Sequence, residues 1–189
     1  GIIAVSGGNK KYLIEHKKIN KNKIEIIWNG RDLKRFSVEK YNKNAVRKKL
    51  GIKEGIIIGN IGRLEDQKDH QTLIKAIAIL KENNDINFHL IIVGEGRLRV
   101  KLEESIKYYN LSEFISLVGY QSNPEDWLAA FDCFVLSSRY EGFPLVLIEA
   151  GSMGLPIIAT DVPGSEDIVL DKDRGRLVPV GDSMKMAEV

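Results

Sequence analysis

The chain has 189 residues, 43% of them hydrophobic and 29% charged, with a net charge of +2. This is the composition of an ordinary soluble protein, long enough to bury a core as one generous domain. No run of eighteen apolar residues occurs and the opening GIIAVS lacks a basic leader, so neither a membrane span nor a signal peptide is expected. The lone Cys133, inside FDCFVL, excludes disulfides and cysteine-rich zinc sites; it reads as a small buried hydrophobe of a reducing, cytoplasmic compartment.

In chain order, IIAVS (2–6) predicts a strand, 9–19 a helix, IEIIW (24–28) a strand and 43–50 a helix. IIIGNIG (56–62) predicts a strand, 70–83 a helix, FHLIIVG (88–94) a strand and 96–109 a helix. FISLVG (114–119), CFVLS (133–137), PIIAT (156–160) and RLVPV (176–180) predict strands, with helices at 124–131 and 144–154 between them and a helix cut short at DSMKMAEV. Most strands are continuous in Val, Ile and Leu rather than alternating, as in a parallel sheet buried on both faces. The βαβα order predicts an α/β fold, a Rossmann-like doubly wound parallel sheet. Asp69 and Asn123 stand where they would cap two of the helices, with Pro124 at a first helical position.

Charge is uneven along the chain. Residues 1–50 hold eleven Lys and three Arg against four acids, a net +10 that leaves −8 for the remaining 139 residues. A basic segment can meet an anionic membrane surface or a phosphate-rich ligand; a solvated lysine face is the plainer account. The chain opens on Gly1 rather than Met and reads as a fragment or a trimmed chain.

Ligands of such sheets bind beyond the carboxyl ends of the strands, so the informative loops are NGRD (29–32), GRLEDQK (62–68), GEGR (94–97), GYQSN (119–123), SRYEGF (138–143) and TDVPG (160–164). Arg63 and Lys68, beside a helix start, form a candidate phosphate grip, one as a planar fork and one as a compact charge. Glu65 and Asp66 could equally offset them as plain surface charge. In the stretch RYEGFPLVLIEAG, Glu141 opens a Gly/Pro loop whose following helix would offer first-turn amides near 142–145 to an anion. Glu149 lies inside an almost wholly apolar helix. A buried carboxylate needs a partner: a hydroxyl-rich ligand such as a ribose, or Arg63, Arg139 or another internal cation. His89 reads as a structural residue of a core strand, and His70 opens a helix where it could touch solvent or ligand. The chain lacks a P-loop, a complete dinucleotide fingerprint, a nucleophile elbow and metal-ligand spacing. Its aromatics do not interleave a basic stripe, so nucleic acid is not an expected partner.

NGRDLKRF (29–36), IGRLEDQKD (61–69), LIIVGEGRLRVKLE (90–103), ISLVGYQ (115–121), residues 131–169 and RGRLVPVGD (174–182) together resemble the C-terminal half of retaining GT-B glycosyltransferases, of the group 1 or family 4 type. The most specific element is the pair of glutamates eight positions apart, Glu141 and Glu149. The resemblance implies a hexosyltransferase whose donor is a UDP-, GDP- or ADP-linked sugar, with no metal or other cofactor. It implies that Gly62, Arg63 and Lys68 hold the diphosphate and stabilise the leaving group. It further implies that Glu149 binds the ribose, that Glu141 with the backbone of Gly142, Phe143, Pro144 and Leu145 contacts the donor sugar and phosphate, and that Tyr120 and Gln121 pass the base. Where the family often has Lys-Gly this chain has Lys68-Asp69, and where it often has Gly-Gly this chain has Pro163-Gly164.

The resemblance also implies a preceding domain of similar size, outside these 189 residues, that supplies the site for a glycan or lipid-linked acceptor. Transfer by this part alone is expected to be slight. A role in cell-surface polysaccharide or glycolipid synthesis follows, at the cytoplasmic side and in possible peripheral contact with the membrane. A nucleotide-sugar epimerase of the same architecture and a noncatalytic nucleotide-binding module are the alternatives.

Overall fold

The computed structural model describes residues 1–83, 86–169 and 175–189; Arg174, first residue of RGRLVPVGD, lies outside them. Eight strands form: β1 (Ile2–Ala4), β2 (Ile24–Ile26), β3 (Ile56–Ile61), β4 (Phe88–Val93), β5 (Ile115–Leu117), β6 (Cys133–Leu136), β7 (Ile157–Thr160) and β8 (Gly175–Val178). The α-helices are α1 (Gly7–Glu15), α2 (Lys43–Leu50), α3 (His70–Asn83), α4 (Arg99–Tyr108), α5 (Pro124–Ala130), α6 (Leu145–Ser152) and α7 (Ser183–Glu188). Strands β3–β8 join in one parallel sheet of order β5-β4-β3-β6-β7-β8, the doubly wound arrangement expected from the sequence.

Strand residues alternate between two apolar layers because successive side chains point to opposite faces. Ile57, Ile91, Phe134 and Ile157 pack with Val46 of α2, Trp127 and Leu128 of α5 and Leu147 and Ala150 of α6. Ile58, Leu90, Ile92 and Val135 pack with Leu73 and Ile77 of α3, Leu102 and Ile106 of α4 and Met186 of α7. Burial on both sides explains the continuous Val/Ile/Leu runs. At Gly59 a Cβ would lie 1.9 Å from the Phe131 ring, so the central strand carries glycine where the chain between α5 and β6 presses against it. Cys133 on β6 is partly rather than fully buried, and burial pushes its thiol up to about 11.

β1 and β2 pair only with each other, outside the main sheet. They are tied to it by α1 and by the chain after β2. Ser6 caps α1 by accepting the Asn9 amide at 3.0 Å, so the helix begins at Gly7 rather than residue 9. It ends at Glu15, ahead of the expected 19, since Lys18 takes a positive φ of 55° that no helix continues through. Two glycines are poor helix formers, but tertiary packing overrides that preference: a Cβ on Gly8 would lie 2.7 Å from Pro163. The Gly7 amide donates to Asp167 at 2.9 Å. Further on, the fully buried Phe36 plugs the layer of α5 and α6. The first forty residues therefore lean on the carboxyl ends of the main strands.

Candidate functional site

The strand order reverses between β3 and β6, and the loops leaving those two strands flank the crevice where ligands of open α/β sheets bind. The loop after β3 is held by the fully buried Leu64, whose amide donates to Glu95 and whose carbonyl accepts from Leu98. The GEG loop lies directly on it. A Cβ on Gly94 would stand 2.0 Å from the Gly62 carbonyl oxygen, and one on Gly96 would stand 2.5 Å from that of Leu64. These glycines serve loop-on-loop packing, which accounts for a GxG without a third glycine.

Asp69 ends a short turn, Asp66–Lys68, in the left-handed conformation, φ 45°. Glycine adopts that geometry without strain. Here the carboxylate compensates for the strain: it accepts the Thr72 hydroxyl at 2.9 Å and pairs with Arg139 at 3.1 Å, while the Thr72 amide goes to the Asp69 carbonyl at 3.1 Å rather than to the expected side-chain cap. Asn123 behaves differently from the expectation. Its side-chain amide donates to Asp126 at 2.6 Å instead of capping α5 through its oxygen. Glu65 and Asp66 pair with Arg97, leaving Arg63 and Lys68 unopposed by them.

Lys68 turns to the opposite wall of the crevice. Its Nζ lies 2.6 Å from Oε1 of Glu141, which also accepts the Ser138 hydroxyl at 2.6 Å. The Ser137 hydroxyl donates to the Lys68 carbonyl, and the Arg139 amide to that of Gln67, stitching the loops after β3 and β6 together. Behind them His70 is buried. Its ring Nε2 lies 3.0 Å from the side-chain oxygen of Asn60, whose amide donates to the Val135 carbonyl. The ring therefore donates from Nε2 and is neutral; burial, then the Lys68 charge, lowers its pKa to about 4. His70 thus supports the loop and does not reach solvent. His89, on the far face, is satisfied by the Glu113 carbonyl and Ser116, as its strand position suggested.

Glu149, 6% exposed on α6, finds its partner in Arg31 of the NGRD loop, with Nε 2.6 Å from Oε1. Neither Arg63 nor Arg139 fills that place. Burial raises the Glu149 pKa, and the Arg31 charge pulls it back. The Arg31 guanidinium also lies 5.5 Å from the centre of the Phe36 ring. No side chain caps α6, and among the described residues the amides of Gly142, Phe143 and Leu145 have no acceptor. Pro144 has no N–H to offer; its carbonyl accepts from Leu147. Gly164, at φ 92°, approaches so closely that a Cβ would lie 2.4 Å from the Gly142 carbonyl oxygen; Pro163, the departure beside it, packs on Gly8.

A cavity of about 530 Å³ opens at this end of the strands, lined by Arg31, Arg35, Gly62, Arg63, Tyr120, Gln121, Val146 and Glu149 among others. The Gln121 amide donates to the Val118 carbonyl, and Tyr120 stands 76% exposed at the rim. Five expected site residues, Gly62, Arg63, Tyr120, Gln121 and Glu149, thus share one cavity. Lys68 and Glu141 form the adjoining corner rather than a joint grip with Arg63. Arg31, Arg35 and Ser138 were not anticipated. The NGRD loop stood in the right class of position, but only its packing on α6 reveals what Arg31 meets. A second cavity, about 540 Å³, lies at the opposite ends of β3–β5 around His89 and Trp127. It lacks the loops and helix N-termini that favour anions at the carboxyl ends. Among the described residues no three His, Cys, Asp or Glu converge as a metal-binding group, and no helix is long and apolar enough to cross a membrane.

Residues 42–189 match the sequence profile of the family described as Glycosyl transferases group 1. An uncharacterized glycosyltransferase of Methanocaldococcus jannaschii is 37% identical over 166 residues, covering 85% of this chain and 39% of that protein. A Campylobacter jejuni enzyme is 33% identical over 98% of this chain and 48% of its own length. It is named as an N-acetylgalactosamine-N,N'-diacetylbacillosaminyl-diphospho-undecaprenol 4-alpha-N-acetylgalactosaminyltransferase. Among solved structures, Anabaena HepE in complex with UDP and glucose superposes with a TM-score of 0.87 at 23% identity, over 98% of this chain and 51% of that one. The chain spans about half the length or less of these relatives.

Proposed function

The chain belongs to the group 1 glycosyltransferase family, and from that premise we propose that it is the donor-binding half of a retaining enzyme that transfers a hexosyl group from a nucleotide-diphospho-sugar. One observation carries the reading: a buried carboxylate, Glu149, lies in a cavity that also holds Arg31, Arg35 and Arg63, at the strand-order reversal. A nucleoside diphosphate has the matching chemistry, with paired hydroxyls for the carboxylate and anionic oxygens for the guanidinium groups.

In this reading Glu149 accepts from the ribose, and Tyr120 and Gln121 pass the base. Arg63 and Lys68 bind the diphosphate. As the bond from the sugar's anomeric carbon to the phosphate oxygen breaks, negative charge grows on the leaving group. Fixed cations and the free amides of Gly142, Phe143 and Leu145 offset it, so metal-independent transfer is part of the proposal. Lys68, held ready by Glu141, exchanges one anionic partner for another as the phosphate arrives. Glu141 is then released toward the donor sugar.

The acceptor is a glycan or lipid-linked sugar, as the name of the Campylobacter relative suggests, and the reaction belongs to polysaccharide or glycolipid assembly at the cytoplasmic side. Lys11, Lys17, Lys18, Lys21 and Lys23 are exposed and make no ion pair among the described residues, which supports peripheral contact with anionic lipid. Titration with UDP, GDP and ADP, followed by NMR, tests the donor site. Resonances of residues 62–68 and 141–149 are expected to shift with at least one nucleotide; silence with all three would refute the reading.

A further inference from the structure

Glu149 presents a problem that the donor-site reading does not solve. Its helix is apolar on nearly every side, with Leu147 and Ala150 buried beside it, and such surroundings favour a protonated acid. A protonated acid accepts poorly from a ribose hydroxyl. The charged groups around it can be named. On α5, Glu125 repels it, while Asp126 is engaged by Lys49 at 2.7 Å. The Arg35 charge opposes the rise from a distance, less than Arg31 does, while its guanidinium bonds both oxygens of Glu125 at 2.8 and 2.9 Å. β6 and β7, packed beneath α6, carry no charged residue. Arg63 and Glu95 line the same cavity with opposite charges. Arg31 alone makes a direct ion pair with Glu149 among the described residues, its Nε lying 2.6 Å from Oε1.

We propose that Arg31 is a positioning residue of the donor site: its guanidinium holds the Glu149 carboxylate charged and fixed through Oε1, so that Oε2 can accept a ribose hydroxyl. The inference rests on the reading of Glu149 as the ribose acceptor. Arg31 suits the task because its guanidinium lies 5.5 Å from the centre of the fully buried Phe36 ring and the turn that follows it is capped by the Asp32 side chain accepting the Lys34 amide. The residue reaches the site from outside the main sheet, so the loop after β2 tunes a carboxylate on α6.

The test is nucleotide affinity against pH. UDP, GDP and ADP are titrated calorimetrically, and the tightest is carried through Arg31→Leu, Arg31→Lys, Glu149→Gln and the Arg31→Leu/Glu149→Gln pair, from about pH 5.5 to 8.5 to bracket a shifted carboxyl. Arg31→Leu is expected to bind about tenfold more weakly at the acid end, the difference between a charge-assisted and a neutral hydrogen bond, and to recover toward the alkaline end. The pH below which affinity falls should be lower in wild type than in Arg31→Leu, and Arg31→Lys should restore most of the affinity. In the Glu149→Gln background Arg31→Leu should add nothing. A loss that is equal at every pH and persists in that background overturns the proposal, since Arg31 would then act on the ligand or the fold directly; no loss at all overturns it too. Where Arg31→Leu does not fold, Arg31→Gln takes its place. The carboxyl carbon resonance of Glu149 without nucleotide gives a second readout, and its midpoint should rise when Arg31 is removed. If Glu149→Gln alone leaves affinity unchanged, the ribose reading itself fails, whatever Arg31 does.

Discussion

Two carboxylates face the same crevice in different company. Glu141 is held by Lys68 and Ser138, both from loops of the main sheet, and the ion pair is nearly enclosed, with side-chain exposures of 16% and 8%. The Glu149 side chain is as enclosed, at 8%, yet its partner Arg31 arrives from a separate segment and is 39% exposed. The Lys68–Glu141 corner is part of the core's own scaffold. The Arg31–Glu149 corner depends on how the first forty residues dock, so it can be retuned without disturbing the sheet.

Breaking the enclosed corner should cost most. Lys68→Ala leaves Glu141 without its counter-charge, and a loss of about 3 kcal/mol in chemical denaturation is expected. Arg31→Ala should cost about 1 kcal/mol or less, because its charge is partly screened by solvent. Equal losses from the two substitutions would dissolve the comparison.

Acid sharpens it next. His70, behind Lys68, has a folded pKa near 4 against an ordinary 6.5. Between those values the unfolded chain binds the extra proton, so stability falls as pH drops from 6.5 toward 4, by about 3 kcal/mol if His70 acts alone. Urea unfolding at stepped pH measures the slope, which His70→Gln should flatten.

Asp69 is a smaller probe of the same corner. Asp69→Ala keeps the left-handed strain and loses the contacts to Thr72 and Arg139, for an expected cost of about 1–2 kcal/mol. Asp69→Gly relieves the strain while losing the same contacts, and should fall closer to wild type in thermal unfolding.

The smallest effect belongs to Glu149→Gln. The Glu149 pKa is raised by burial, so its charged form opposes folding above that pKa and the penalty eases as pH falls through it. At neutral pH the substitution should change stability by less than about 1 kcal/mol, because relief from burial is offset by losing Arg31. Its nucleotide affinity should fall nonetheless, a split that calorimetry and melting curves read separately.

All eight strands and the six full helices expected from the sequence are present, with ends shifted by a few residues. Continuous Val, Ile and Leu runs such as 56–58 and 90–93 have few other ways to be buried. Glu149 was legible as an anomaly, since a carboxylate in LVLIEAG must meet something polar. Its partner was not legible, because chain distance says nothing of which cation a fold brings near. Arg63 and Arg139 are nearer in the chain, but Arg139 pairs with Asp69, and the partner of Glu149 is Arg31 from the far side. The same gap separates Glu65 and Asp66 from Arg97, a pairing set by one loop lying on another.

By itself the sequence determined the doubly wound sheet, and it marked the loops at the carboxyl ends of the strands and the carboxylates Glu141 and Glu149 as the candidate site. Periodicity, burial and strand direction are local properties that each residue carries with it. Only the tertiary structure decided that β1 and β2 stand outside the sheet, that Gly8 must yield to Pro163, that Lys68 turns to Glu141, and that Arg31 meets Glu149. Those outcomes rest on the docking of segments far apart in the chain, where shape and desolvation select one partner among several of the same charge.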